Sequence, residues 1–278
     1  MLREEQQVKG WAMRRPDAQF EVSMVGIYDR HLGPLLFQPY AAEVARRVSG
    51  LPVRRLLETA AGTGLVTVEL AYGCPEAEIV ATDINEEMLH VAKRRTASLR
   101  ERMQLRQADA QALPFGDGEF DLVVCQFGIM YTPDKVQANA EARRVLRDGG
   151  RYLLVVWDRL ERNPAAQGVH EAVAALFPDD PPQFLARTPF GYSDPARIEH
   201  DLLAAGFTDI GFETVALESL AGAGPEDASL GMVEGTPLRA EVEARGPGML
   251  QRAEEAARTA LSSNFPGALS AHFVTAIR

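Results

Sequence analysis

Between residues 53 and 158, short apolar runs alternate with amphipathic stretches. "VRRLLETA", "AEIVATDI", "MQLRQADA", "EFDLVVCQFGI" and "RYLLVVWD" read as strands. The stretches between them read as helices. "GLVTVELAYG" is short, with a glycine near its end. In "NEEMLHVAKRRTASL", Asn85 is placed as an N-cap, Glu86 and Glu87 suit the first turn, and Met88, Val91, Ala92 and Leu99 fall mostly on one face. "DKVQANAEARRVLRDGG" is expected to end at its glycines. Strands alternating with helices predict an α/β fold with a doubly wound, mostly parallel sheet. The near-continuous apolar runs "DLVVC" and "YLLVV" fit strands buried on both faces.

The flanks follow a different pattern. Residues 1–50 contain helical periodicity, including "PYAAEVARRVSG" with its glycine stop. Residues 159–205 are helical and loop-like, broken by Pro164, Pro178, Pro181, Pro182, Pro189 and Pro195. "GFTDIGFETVAL" and "SAHFVTAIR" read as two further strands, and residues 218–270 as helices on one face of the sheet. This divides the chain into an N-terminal helical stretch (1–50), an alternating α/β core (51–160) and a remainder (161–278) that completes the sheet and adds helical insertions.

Composition narrows the function classes. The chain has 278 residues, 46% hydrophobic and 24% charged, which is ordinary for a globular protein with a full core. A net charge of −10 argues against a partner made of nucleic acid. The local cluster of Arg143, Arg144, Arg147 and Arg151 lies where a helix should end, where cations suit the macrodipole. Cys74 and Cys125 are far apart and lack metal spacing, so a reducing cytoplasm and no metal are expected. No run reaches the roughly 18 apolar residues of a membrane span, and the opening "MLREEQQVKGWAMRRPDAQF" lacks a signal-peptide core.

The chemistry concentrates in "LLETAAGTGLVTVEL". A phosphate loop would need a lysine after it, and none follows Gly64. A dinucleotide fingerprint would need a third glycine where Thr67 stands, and Glu58 just before the loop would repel a pyrophosphate. The same carboxylate suits the cationic end of S-adenosylmethionine (SAM). Gly62 and Gly64 allow backbone contact, and Asp83, ending the next strand, can accept both ribose hydroxyls. Asp109 can accept from the adenine amino group, with the backbone N–H of Ala110 offered to a ring nitrogen. Three carboxylates at the C-terminal ends of three successive strands lie where open α/β sheets bind ligands.

"LLETAAGTG", "ATDINEEML", "QADAQALPFGDGEFDLVVCQFGIMYTPD" and "EARRVLRDGGRYLLVVWD" resemble the successive motifs of class I SAM-dependent methyltransferases, most closely the type 11, ubiquinone/menaquinone-biosynthesis-like branch. The resemblance covers residues 50–160. It implies a Rossmann-like seven-stranded sheet in which one antiparallel strand, "AHFVTAIR", is inserted, with helices on both faces and N-terminal helices covering the cofactor. It also implies that Tyr28 sets an aromatic ring against SAM, that Ala60, Ile84 and Met88 belong to the cofactor-binding set with Asp83, and that Gln126 and Phe127 meet the methionine moiety. Ala60 departs from the family's first loop glycine, a change tolerated at negative φ.

Methyl transfer is an in-line displacement that needs positioning more than acid–base chemistry. The candidate bases are His31, His170 and Asp158. Phe127, Met130, Tyr131 and Trp157, with Phe177, Phe184, Phe190 and Tyr192, are candidates for an apolar acceptor pocket. The expected activity is methylation of a small, partly apolar metabolite, with S-adenosylhomocysteine (SAH) as product, by a monomer or homodimer. An NAD(P)-dependent oxidoreductase and a non-catalytic SAM-binding protein are the alternatives.

Overall fold

A computed structural model describes residues 16–18, 20–219, 224–262 and 265–278. The charged opening, residues 1–15, lies outside them. The chain enters through a helical run of three parts: α1 (Val22–Ile27), a π-helical stretch (Tyr28–Phe37) and α2 (Gln38–Val48). Pro34 lies inside the π-helical stretch, where it has no N–H to give to an ordinary helical ladder.

Strands and helices then alternate as β1 (Arg55–Thr59), α3 (Leu65–Gly73), β2 (Glu78–Asp83), α4 (Glu86–Arg95), β3 (Met103–Gln107), β4 (Phe120–Gln126), α5 (Lys135–Val145) and β5 (Leu146–Trp157). The Asn85 cap is realised: its Oδ1 accepts from the N–H groups of Glu87 (2.9 Å) and Met88 (3.3 Å). One boundary differs from expectation. Helix α5 stops at Val145, four residues before the glycines, because Leu146 is already extended and pairs with Phe120. The register then shifts, so that Leu122 pairs with Arg151, and Gly149 at φ 73° serves the bulge that absorbs the extra residues.

After β5 come α6 (Pro164–Ala174), α7 (Pro195–Ala204), β6 (Asp209–Glu218), α8 (Pro225–Glu234), α9 (Leu238–Glu243), α10 (Met249–Leu261) and β7 (Ala268–Ile277). The seven strands form one sheet in the order β3-β2-β1-β4-β5-β7-β6, and β7 runs antiparallel to both of its neighbours. The architecture is therefore the doubly wound, Rossmann-like sheet with one reversed strand.

Two apolar clusters hold the molecule together. The larger fills the sheet with β1, β4, β5 and β7 side chains and the inner faces of α2 and α3. The second joins Leu32 and Leu35 of the π-helical stretch to Val169 and Val173 of α6, Met232 and Val233 of α8, and Ala253, Ala257 and Leu261 of α10. The helices of residues 225–261 thus pack chiefly on the N-terminal helices and α6, building a cap layer, where the pattern alone had placed them against the sheet. Residues 220–223 and 263–264 lie outside the described part of that region.

Candidate functional site

The loop between β1 and α3 is held open by its backbone. Ala61 N–H donates to Thr82 O (2.8 Å) across the sheet, and Gly64 N–H donates to Ala61 O (3.0 Å). Gly62 and Gly64 take φ values of 56° and 81°, and a Cβ on Gly62 would meet nothing within 4 Å. Gly62 therefore offers bare backbone to a ligand. Gly64 has a different task from the one expected: it caps α3, and a Cβ there would lie 3.1 Å from Ala92 of α4. It lets two helices approach and does not line the cavity. Ala60 also differs from expectation, because its φ is +56°, in the left-handed region that favours glycine.

A cavity opens above this loop. Its walls include Ala60, Gly62, Thr63, Asp83, Ile84, Asn85, Met88, Asp109, Ala110, Gln126, Phe127, Tyr28 and Tyr131. Asp83 is buried at the end of β2, where its Oδ2 accepts from Gly62 N–H (2.8 Å) and its Oδ1 from Asn85 N–H (2.8 Å). One carboxylate thus ties the loop to the head of α4 and still faces the cavity. Burial raises its pKa above the usual carboxylate value, against the pull of those backbone donors. Asp109, past the end of β3, accepts from Gln111 N–H (2.9 Å) and Gln111 Nε2 (3.0 Å), which fixes the turn that carries Ala110.

Glu58 is the carboxylate that moves away from its expected role. It is buried beneath the loop and does not line the cavity. Its Oε2 accepts from Thr67 Oγ1 at 2.5 Å, and burial raises its pKa to about 8, with Asp83 nearby adding to the rise. The hydroxyl that stands in place of the third dinucleotide glycine is thus the partner of this carboxyl. Spacing alone did not connect the two residues.

Aromatic rings form the rest of the cavity wall. Phe20 meets Tyr28 edge-on with centroids 5.5 Å apart, and Tyr28 stacks on Phe37 at 5.2 Å. Phe20, Phe37, Asn85 and Thr132 also line the cavity, beyond the residues the sequence singled out. Phe37 was hidden by periodicity. Nine residues from Tyr28, it falls on the opposite face of an α-helix, but a π-helical ladder with its i→i+5 bonds has about four and a half residues per turn and brings both to one side. The cover is tied down by Arg95, whose Nη1 donates to Thr63 O (2.7 Å) and pairs with Asp29 (2.8 Å).

Gln126 ends β4 inside the cavity. Its Nε2 donates to Phe37 O (3.3 Å), and its buried Oε1 has no partner. An orphaned buried acceptor beside a cavity fits a ligand that brings a donor, such as an ammonium group. With Asp83, Asp109 and the bare backbone at Gly62, the donor and acceptor set suits the diol, amino groups and carboxylate of SAM.

Several expected residues lie elsewhere. Met130 and Trp157 are buried in the core, and Trp157 stacks behind Phe127 with centroids 3.9 Å apart. Phe184 belongs to the cap core, Phe177 and Phe190 pack at its edge, and Tyr192 donates to Asp201 (2.9 Å). None of these lines the cavity, because the cover reaches it first with Phe20, Tyr28 and Phe37. The candidate bases are also displaced. His31 pairs with Asp227 of α8 at 2.8 Å, and His170 sits on α6 away from the cavity. Asp158 turns toward β7, where it accepts from Ser270 Oγ (2.8 Å) and meets His272 Nε2 (3.2 Å). In the arginine cluster, Arg144 is a structural cross-link: it donates to Leu113 O, Phe115 O, Asp117 and Glu141.

Comparison with known proteins gives a consistent pattern. Residues 57–154 match a family model described as a methyltransferase domain. The chain is 38% identical over 124 residues to the demethylmenaquinone methyltransferase of Deinococcus radiodurans, covering 45% of this chain and 49% of that protein. It is 35% identical over 184 residues to the ubiquinone/menaquinone biosynthesis C-methyltransferase UbiE of Acidiphilium cryptum, covering 62% of this chain and 71% of that one. The chain thus spans about half the length of the Deinococcus relative and more of the second. Among solved structures, phosphoethanolamine N-methyltransferase 2 of Haemonchus contortus, in complex with SAM, superposes with a TM-score of 0.61 at 15% identity, over 93% of this chain and 57% of that one.

Proposed function

We propose that this chain, which belongs to the class I SAM-dependent methyltransferases and to their ubiquinone/menaquinone-biosynthesis-like branch, methylates a small, flat, partly apolar acceptor. The observation that carries the reading is the cavity itself. Asp83, Asp109 and the unpaired Oε1 of Gln126 converge there on backbone that a glycine leaves bare.

SAM, when bound, supplies the methyl group and its own leaving group. Everything else falls to the protein. Asp83 accepts from the ribose hydroxyls, Asp109 and Ala110 hold the adenine edge, and Gln126 accepts from the ammonium end. Glu58 supports the loop from below through Thr67. Phe20, Tyr28, Phe37, Phe127 and Tyr131 exclude water and give the acceptor an apolar bed.

The same wall limits the acceptor class. No histidine lines the cavity among the described residues. Tyr28 and Tyr131 are held above the usual tyrosine pKa by burial, so neither is a base at neutral pH. An acceptor that carries its own electron-rich carbon, such as a reduced quinone ring, needs no protein base to become nucleophilic: the new C–C bond would form as the C–S bond breaks, and the displaced ring proton would pass to water as the ring rearomatises. The names of the two relatives described above point to menaquinone and ubiquinone biosynthesis, and one of them to C-methylation. Transfer of label from methyl-labelled SAM to a reduced 1,4-naphthoquinone tests this. Label in a carbon-bound methyl group supports it. Label appearing only on an amine or alcohol in a parallel panel would replace the acceptor class.

The oxidoreductase alternative loses support from Thr67, whose buried hydroxyl is committed to Glu58 where a dinucleotide loop needs glycine. No helix among the described residues is long and apolar enough to cross a membrane.

A further inference from the structure

Among the described residues, two other than glycine hold a left-handed backbone, Ala60 at φ 56° and Phe127 at φ 53°. Both line the cavity, as does Gly128, which follows Phe127 in the chain. A Cβ on Gly128 would fall 2.3 Å from the Ala60 Cβ, far inside contact distance, and 3.2 Å from Cys125 Sγ. Gly128 itself has φ −108° and ψ −39°, which any residue can adopt. Its backbone does not require glycine. The methyl group of Ala60 is what excludes a side chain there.

Behind this contact lies a second cavity of about 20 Å³, walled by Thr59, Cys125, Ile129, Ala138 and Tyr152. It shares Ala60, Ala110, Gly128 and Thr132 as walls with the larger cavity. A methyl group carried in a costly conformation thus faces a glycine whose conformation is cheap, on the wall the two spaces have in common.

We propose that Ala60 and Gly128 are a matched positioning pair. One supplies a methyl group, the other leaves the room for it, and their contact sets the distance between the glycine loop and the Gln126–Gly128 turn. That turn carries the unpaired Gln126 acceptor and the Phe127 ring into the cavity. The assignment rests on the reading that this cavity holds SAM. It explains why alanine stands in a left-handed position: glycine there would relieve the backbone but open the small cavity into the large one.

The test uses the full chain as wild type, Ala60→Gly, Gly128→Ala and the double variant. SAH affinity is read by calorimetry, and the unfolding midpoint by thermal melting. Modification of Cys125 by methyl methanethiosulfonate is followed by peptide mass spectrometry. Gly128→Ala forces two methyl groups together and weakens SAH binding by about tenfold or more, as expected for overpacking. Ala60→Gly opens the small cavity and speeds Cys125 modification.

The double variant is the decisive arm. It moves the methyl group to the side where φ is −108°, so it restores SAH affinity to within about threefold of wild type, a difference below 1 kcal/mol by the usual conversion. It also returns Cys125 to slow modification and unfolds no lower than wild type. A double variant no better than Gly128→Ala overturns the pairing, and so does an Ala60→Gly variant that leaves all three readouts unchanged. If Gly128→Ala fails to fold, recovery of folding in the double variant decides the matter in the same way. Failure of wild type to bind SAH would sink the cofactor reading alone, because the melting and labelling arms need no ligand.

Discussion

Replacing Glu58 by glutamine should make the protein more stable at alkaline pH and leave it little changed at acid pH. The carboxyl is buried, accepts a hydrogen bond from Thr67 Oγ1 at 2.5 Å, and has its pKa raised to about 8. A pKa higher in the folded than in the unfolded chain means that the native state holds the proton more tightly. The stability linked to that proton is complete below the unfolded value near 4.5 and is lost progressively as pH rises to about 8. At about 1.4 kcal/mol per pH unit the displacement sets a ceiling of about 5 kcal/mol. Relaxation and water entry on ionisation lower the realised loss to about 2–4 kcal/mol. Glutamine keeps the shape and an acceptor for Thr67 but has no proton to lose. Urea unfolding of both proteins from pH 4.5 to 9 measures the difference directly. Near pH 4.5 the two should agree within about 1 kcal/mol, and the gap should open in favour of the glutamine variant by pH 8.5. A gap that does not change with pH would refute the claim that Glu58 is a buried, protonated acid.

Three further outcomes are expected from the site and its supports. Asp83→Ala should weaken SAH binding by about 10- to 100-fold, the loss of charge-assisted bonds worth about 1.5–3 kcal/mol, measured by calorimetry. Wild-type affinity should also fall on acidification at a pH above that of an ordinary aspartate, because burial raises the Asp83 pKa and the ribose hydroxyls need an ionised acceptor; in the alanine variant that dependence should disappear. Arg144→Ala should lower stability by about 1–3 kcal/mol in chemical denaturation while SAH affinity stays the same, because its guanidinium bonds to the turn at Leu113–Asp117 and to Glu141, away from the cavity.

The elements that were legible in the sequence share one property: local pattern and tertiary role agree. The apolar runs "DLVVC" and "YLLVV" became central strands, and Asn85 capped the helix that its sequence context predicted. Asp83, Asp109, Gly62 and Gln126 were legible because strand ends in such a sheet converge on one edge. What was hidden depended on contacts between distant segments. Phe37 joined Tyr28 only because the helix between them widens, and Glu58 turned inward because Thr67 was there to meet it. Asp158 follows β5 at the expected edge, yet β7 offers it His272 and Ser270 from the other side. Ala60 looked like a mild substitution. Its positive φ and its contact with Gly128, 68 positions later, are invisible to a reading along the chain.

The central claim is that one cavity, built on Asp83, Asp109, Gln126 and the bare backbone at Gly62, holds SAM. Calorimetry of the full chain with SAH, beside NADH and NADPH under the same conditions, tests it most directly. The account predicts one SAH bound per chain and no heat from either nicotinamide. A folded protein that ignores SAH, or that binds NADH or NADPH in its place, would contradict it.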